Sequence, residues 1–180
     1  MAVTETRVID GGEVLDPPFS DTFDKWLAAR NSADAAAPPL RAFPLDALDT
    51  RLLPWAVVVD VLRDEGNDAP RDFRYRFWGT ERSELIGAEM TGRNLSDIEN
   101  AYMREANRNE YEEILRRCAP LLCETPVVTA SGRRTSFQSL RLPLSNDGRT
   151  VDNVFSAFNY LRIAAPHYEY FGTEPPLRVR

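Results

Sequence analysis

The most informative segment for the fold is Phe73-Arg74-Tyr75-Arg76-Phe77-Trp78-Gly79-Thr80. Its aromatic side chains alternate with arginines, which is the two-residue period of a strand that buries one face. Gly79 ends this period, and Thr80 is a residue type that caps the start of a helix. The stretch therefore predicts a strand followed at once by a short helix.

A second predicted strand precedes this one along the chain. In residues 52–63, Trp55, Val57, Val59 and Val61 alternate with Ala56, Val58 and Asp60, and β-branched residues favour strands. Turn-forming residues occupy the interval from Gly66 to Pro70. Because the connection is short, we expect the two strands to pair antiparallel.

Downstream of Thr80 the pattern becomes helical and then extended. Residues 100–118 carry an apolar stripe at spacings of three and four, which predicts one long helix. Strand-like runs follow at 126–130, 135–144 and 151–161, and Asn146-Asp147-Gly148 is a hairpin signal. This order predicts an α+β fold: a five-stranded antiparallel sheet with helices on one face.

Flanking segments surround the predicted core. Residues 1–39 are expected to form an N-terminal arm and flanking helix, residues 40–162 the main domain and residues 163–180 a C-terminal tail. The first twenty residues lack periodicity and predict a mobile arm. In the flanking helix, one face carries Phe23, Trp26 and Leu27. We expect Trp26 to be buried, either against the open face of the sheet or in a homodimer interface.

Composition limits the partners of the chain. Among 180 residues there are 28 acidic and 22 basic side chains, giving a net charge of −6. No basic field is therefore available for a nucleic acid backbone. No apolar run approaches the roughly 20 residues of a membrane helix. The two cysteines are too few for a disulfide framework and are interpreted as reduced thiols. We expect a soluble cytoplasmic protein that binds neither nucleic acid nor a membrane.

The order of elements and several short motifs are similar to those of a PAS domain. The motifs are Arg51-Leu52-Leu53-Pro54 before the first strand, Phe73-Arg74-Tyr75-Arg76 running into Gly79-Thr80, Gly92-Arg93 with Leu95 and Asp97, Leu142-Pro143-Leu144-Ser145, and Asp147-Gly148-Arg149. Over residues 40–162 the chain resembles the PAS-like family frequent in alphaproteobacteria.

The resemblance implies a sensory or protein-interaction module. PAS domains bind small molecules between the helices and the sheet, or dimerise, and pass the signal to other proteins. The sequence carries no kinase, cyclase or DNA-binding segment. The expected output is therefore a contact with a signalling protein, such as a histidine kinase or response regulator, or with a second copy in a homodimer.

The resemblance also bears on cofactors. Gly92-Arg93-Asn94 resembles the start of the flavin-binding segment of light-sensing PAS domains, in which a cysteine comes next and forms the flavin adduct. Leu95 stands at that position and has no thiol. Haem needs an axial ligand, and the single histidine, His167, is expected to be an exposed tail residue. Cys118 and Cys123 are separated by four residues, unlike the CxxC pattern of zinc and redox sites, and are interpreted as buried packing residues. From these observations together we expect no flavin adduct, haem or metal.

Aromatic side chains on two predicted strands allow two interpretations. The set expected on the helix-facing side of the sheet is Phe73, Tyr75, Phe77, Phe158 and Tyr160. These residues either fill the core or line a pocket for a small apolar or aromatic ligand, oriented by tyrosine hydroxyls or by Gln138. Arg74, Arg76 and Arg141 are expected to form ion pairs on the opposite face, with an anionic ligand as the alternative partner of Arg76.

We expect no catalytic residues. The sequence contains no Walker loop, no dinucleotide glycine motif and no HExxH motif. Ser131 has no histidine or lysine arranged to activate it. The alternative is a small α+β enzyme of hydrolase or isomerase type, which would need Asp60 or Asp97 buried beside an arginine.

Overall fold

The computed structural model describes residues 5–9, 15–17, 19–33, 35–128 and 134–159. Its strands are β1 (Glu5–Val8), β2 (Val57–Arg63), β3 (Pro70–Trp78), β4 (Leu121–Val128), β5 (Arg134–Leu144) and β6 (Asn153–Asn159). Its helices are α1 (Phe19–Ala33), α2 (Thr80–Ile86) and α3 (Ala101–Arg117). Short 3-10 turns lie at Leu40–Ala42, Leu45–Ala47, Leu53–Trp55 and Leu95–Asp97.

The strands form one antiparallel sheet in the order β1-β4-β5-β6-β2-β3. The β2–β3 hairpin and the β4–β5–β6 meander are confirmed, and β6 joins them by pairing with β2. The sheet has six strands instead of the predicted five, because β1 pairs with β4. The prediction of a mobile arm is therefore wrong over Glu5–Val8, which is a paired strand. All four of these side chains are exposed, so no apolar period marks the strand.

A β-bulge interrupts the alternation of β3. Val58 pairs with Phe77 while Val59 pairs with Tyr75, so Arg76 is an extra residue between the two pairs. Trp78 consequently packs in the same core as Tyr75, and Phe77 packs against the core on the other face. The prediction that Phe77 shares a face with Phe73 and Tyr75 is wrong for this reason.

Each face of the sheet carries its own apolar core. Under α3 the core includes Phe73, Tyr75 and Tyr111, and the opposite core lies under α1 and the first 3-10 turns. The α1 core contains Trp26, which is fully buried and donates a hydrogen bond from Nε1 to the Pro143 carbonyl oxygen at 2.8 Å. The flanking helix therefore covers the second face of its own sheet.

The other two residues of the predicted α1 face lie in the same core. Phe23 is buried and stacks on Trp26 with ring centres 6.1 Å apart, and Leu27 packs against the cluster. Of the two burials expected for Trp26, the structure shows the one against the sheet.

Gly79 sets the position of α2. A Cβ at this residue would lie 2.1 Å from the Pro54 carbonyl oxygen, so only glycine fits this close approach. The Gly79 backbone N–H donates to the Ala56 carbonyl oxygen at 2.9 Å. Since α2 begins at the next residue, this contact holds the helix over the core under α3.

Candidate functional site

A buried ion pair lies between α3 and the sheet. Arg141 on β5 is 2% exposed, and its Nε donates to Glu110 Oε2 on α3 at 2.7 Å. Its Nη1 donates to Ser156 Oγ at 2.9 Å, and its Cζ lies 4.7 Å from the centre of the Tyr111 ring. The predicted ion pair of Arg141 exists, but the predicted face is wrong. Strand alternation points Arg141 towards α3 because Leu140 and Leu142 face the α1 core.

The ionisation of this region is fixed by its surroundings. Burial, the largest single influence, lowers the pKa of Arg141, but the charge of Glu110 and its hydrogen bond, together with Tyr111 and Cys123, hold that pKa above its usual value. The pKa of Tyr75 is raised well above its usual value, chiefly by burial. The region therefore holds a paired guanidinium beside the neutral phenol of Tyr75.

A second arginine approaches the same core from α2. Arg82 is 5% exposed, and its Cζ lies 4.1 Å from the centre of the Phe158 ring and 4.9 Å from that of Trp78. Arg141 Cζ lies 5.7 Å from the centre of the same Phe158 ring. Phe158 is thus within cation–π distance of two guanidinium groups.

Two polar atoms beside these arginines have no hydrogen-bond partner among the described residues. They are Trp78 Nε1 and Ser139 Oγ, and both residues are at least nine-tenths buried. Leaving a buried donor unpaired costs about 1–3 kcal/mol. Trp78 lies beneath Arg82, and Ser139 is the cross-strand neighbour of Phe158. We call the region of Trp78, Arg82, Ser139, Arg141 and Phe158 the interior site.

The structure brings only part of the predicted pocket to this region. Phe73, Tyr75 and Phe158 lie in the core under α3. Gln138 lies on the same side of β5 as Leu140, because one residue separates the two along the strand, and this is the face under α1. Tyr160 lies outside the described residues, as does His167.

Asp60 joins three strands through hydrogen bonds. Its Oδ1 accepts from Arg76 Nε at 2.6 Å and from Asn153 Nδ2 at 2.7 Å, and its Oδ2 accepts from Arg74 Nη2 at 3.1 Å. The ion pairs predicted for Arg74 and Arg76 are present. Both oxygens of Asp60 are therefore occupied by donors from β3 and β6.

Asp97, the other carboxylate considered for an enzyme, has a local structural role. Its Oδ2 accepts the backbone N–H of Asn94 at 2.8 Å, within a capping box at the 3-10 turn. The Asn94 side chain reciprocates with the backbone of Asp97.

The segment that resembles a flavin-binding segment lies along the outer edge of β3. The Tyr75 N–H donates to the Arg93 carbonyl oxygen at 2.8 Å, and the Gly92 N–H donates to the Tyr75 carbonyl oxygen at 2.7 Å. Leu95 is fully buried in the core under α3.

The two cysteines differ in exposure. Cys123 is buried, whereas Cys118 is half-buried at the end of α3. Burial raises the pKa of both thiols, which opposes thiolate formation. Within the described ranges no group of three or more His, Cys, Asp or Glu side chains is placed to hold a metal ion. No helix in those ranges is both long and apolar enough to cross a membrane.

Arg82, Trp78 and Ser139 were missed as site residues. An arginine two residues into a short polar helix gives no sign of burial, since arginines are mostly exposed. The available signal was the Phe77-Trp78 pair directly before the helix, because an arginine packs well on aromatic faces.

A family model described as a PAS domain matches residues 15–158. The chain belongs to the PAS domain family. The match includes α1 and ends in β6, so it spans both cores of the sheet. PAS domains are generally sensory modules, and this chain is a sensory module of the PAS family.

Several solved structures are similar to this PAS domain. An RNA-binding Light-Oxygen-Voltage receptor is 12% identical over 88% of this chain, with a TM-score of 0.47. This chain spans 38% of the length of that receptor. Two variants of the fungal photoreceptor Vivid are each 14% identical, over 62% and 81% of this chain and 83% and 97% of theirs, with TM-scores of 0.37 and 0.40. No curated protein matches the sequence.

Proposed function

We propose that this PAS domain is a non-catalytic module that binds a small aromatic ligand in the interior site and signals to a protein partner. The observation that carries the proposal is the pair of unpartnered polar atoms, Trp78 Nε1 and Ser139 Oγ. A ligand with a hydrogen-bond acceptor would satisfy the indole N–H. Its aromatic body would pack among Tyr75, Trp78 and Phe158, as ligands do in mostly apolar sites with few polar groups.

The buried arginines favour a ligand whose polar group is an acceptor. The charge of Arg141 is held in place by Glu110, and the guanidinium of Arg82 is held between two rings. Hydrogen bonds from a charged donor are about twice as strong as neutral ones. Arg76 is a weaker candidate for this contact because its Nε is bonded to Asp60 and its side chain is 54% exposed.

The proposal involves neither flavin photochemistry nor haem. Leu95 stands where the adduct cysteine would be, and His167 is the single histidine of the sequence. The output we propose is a contact in the cytoplasm with a signalling protein, such as a histidine kinase or response regulator, or with a second copy of the chain.

One observation favours the second candidate, a small hydrolase-type or isomerase-type enzyme. Asp60 is buried beside Arg74 and Arg76, as that hypothesis requires. Proton transfer at Asp60 would, however, have to break the hydrogen bonds that connect β2 to β3 and β6. The interior site therefore has the stronger support.

The variant Trp78→Phe tests the ligand proposal because it keeps the ring and removes the Nε1 N–H. We expect the wild-type chain to bind naphthoate, an aromatic probe with an acceptor, in isothermal titration calorimetry. We expect Trp78→Phe to bind naphthoate about tenfold more weakly, the equivalent of one hydrogen bond.

The matched control is Trp26→Phe, which makes the same change in the core under α1. We expect this variant to bind naphthoate as the wild type does. Equal weakening in the two variants, or no saturable binding by the wild type, would contradict the proposed site.

A further inference from the structure

A groove at the end of α3 lies apart from the interior site and shares no residue with it. It runs between the β2–β3 hairpin, the C-terminal half of α3 and the segment before β6, and encloses about 460 Å³. Small-molecule sites in proteins commonly enclose about 300–1,000 Å³. The groove is lined by arginines from three separate parts of the chain: Arg63, Arg116 and Arg149.

Arg63 presents a positive charge that is held in place but not neutralised. Its Nε donates to the Asp68 carbonyl oxygen at 3.0 Å, and its Nη2 donates to the Val151 carbonyl oxygen at 2.9 Å. Both partners are neutral backbone groups, and a guanidinium has five N–H donors. Arg63 therefore lines the groove in a fixed orientation, and its guanidinium has further N–H donors beyond the two that bind these carbonyl oxygens.

The other two arginines add to this charge. The Arg149 side chain has no carboxylate within 4.0 Å among the described residues. Arg116 shares the single carboxylate of Glu113 with Arg117, so that group carries one positive charge in excess. Neither arrangement neutralises the arginines that line the groove.

The carboxylates of the groove do not balance these arginines. Asp68 and Glu112 also line it, and the Arg108 guanidinium that lies 3.8 Å from Glu112 is shared with Asp72 at 3.2 Å, so it neutralises Glu112 only in part. Two carboxylates therefore face the three arginines of the lining. The groove is thus locally positive in a chain whose net charge is −6.

We propose that this groove binds a small organic anion carrying two or more carboxylate or phosphate groups. Guanidinium groups on several sides can each contact a different anionic group, and their planar donors match both kinds of oxyanion. Leu115 supplies an apolar surface for the carbon skeleton, which an inorganic ion would leave unused. The carboxylate of Asp68 repels the same ligand, so its negative charge lowers the affinity of the groove for the anion.

Calorimetric titration with citrate at constant ionic strength tests this site in the full chain. We expect saturable binding of citrate to the wild type. Arg149→Gln should bind citrate about tenfold more weakly, because a hydrogen bond to a charged group is lost. Asp68→Asn should bind citrate more tightly, because the repulsion is removed.

The matched control is Arg41→Gln, which removes the same charge from an exposed position that does not line the groove. We expect Arg41→Gln to bind citrate as the wild type does. A response to citrate that does not saturate would overturn the proposal, and so would equal weakening in Arg41→Gln and Arg149→Gln.

Discussion

Replacing Trp26 by alanine is expected to lower the free energy of unfolding by about 3–5 kcal/mol, the usual range for deleting a buried aromatic side chain. The indole is fully buried between α1 and the sheet, where it stacks on Phe23. The substitution leaves a cavity and removes the donor to the Pro143 carbonyl oxygen. Urea unfolding followed by circular dichroism measures the change.

The control for this variant is Leu27→Ala on the same helix. Leu27 is only half-buried, so we expect a smaller loss of stability, about 1 kcal/mol. Light scattering should give Trp26→Ala the same mass as the wild type, because Trp26 packs within its own chain. Unchanged stability, or a fall in mass, would contradict the packing of α1 on the sheet.

The second large effect is expected at the buried ion pair. Arg141→Met should lower the free energy of unfolding by about 3–5 kcal/mol, because Glu110 is left without its partner in the interior. The Glu110 side chain is 11% exposed, so water compensates its charge poorly. The double variant Arg141→Met/Glu110→Leu should recover most of this loss, since no uncompensated charge remains.

An exposed ion pair on the same helix provides the comparison. Arg116 and Glu113 lie at the surface end of α3, with 64% and 27% of their side chains exposed. We expect Arg116→Met to change the free energy of unfolding by at most about 1 kcal/mol. If Arg141→Met and the double variant lose equal stability, the cost does not come from an uncompensated Glu110.

Local periodicity was sufficient to predict most of the sheet. The alternation around Tyr75 and Val59 predicted the β2–β3 hairpin, and Asn146-Asp147-Gly148 predicted the turn before β6. The strand β1 has four exposed residues, so its position depends on its pairing with β4 and not on its own pattern. The bulge at Arg76 was also invisible, because the aromatic alternation continues through Phe77 while the pairing shifts by one residue.

The interior site was harder to predict than the sheet because its charges are buried. The prediction that Arg141 lies on the opposite face is wrong because its guanidinium is buried, whereas arginines are mostly exposed in proteins. The alternation of Arg141 with Leu140 and Leu142 indicates its correct face only when both faces of β5 are known to be covered. Arg82 required tertiary information, since its neighbours Trp78 and Phe158 come from different strands.

Native mass spectrometry of the full chain with naphthoate present tests whether this PAS domain binds a small aromatic molecule in its interior site. We expect a noncovalent complex of one chain and one naphthoate, which is lost under denaturing conditions and weakened in Trp78→Phe. The polypeptide mass alone at saturating naphthoate, or an equally abundant complex in the wild type and Trp78→Phe, would contradict it.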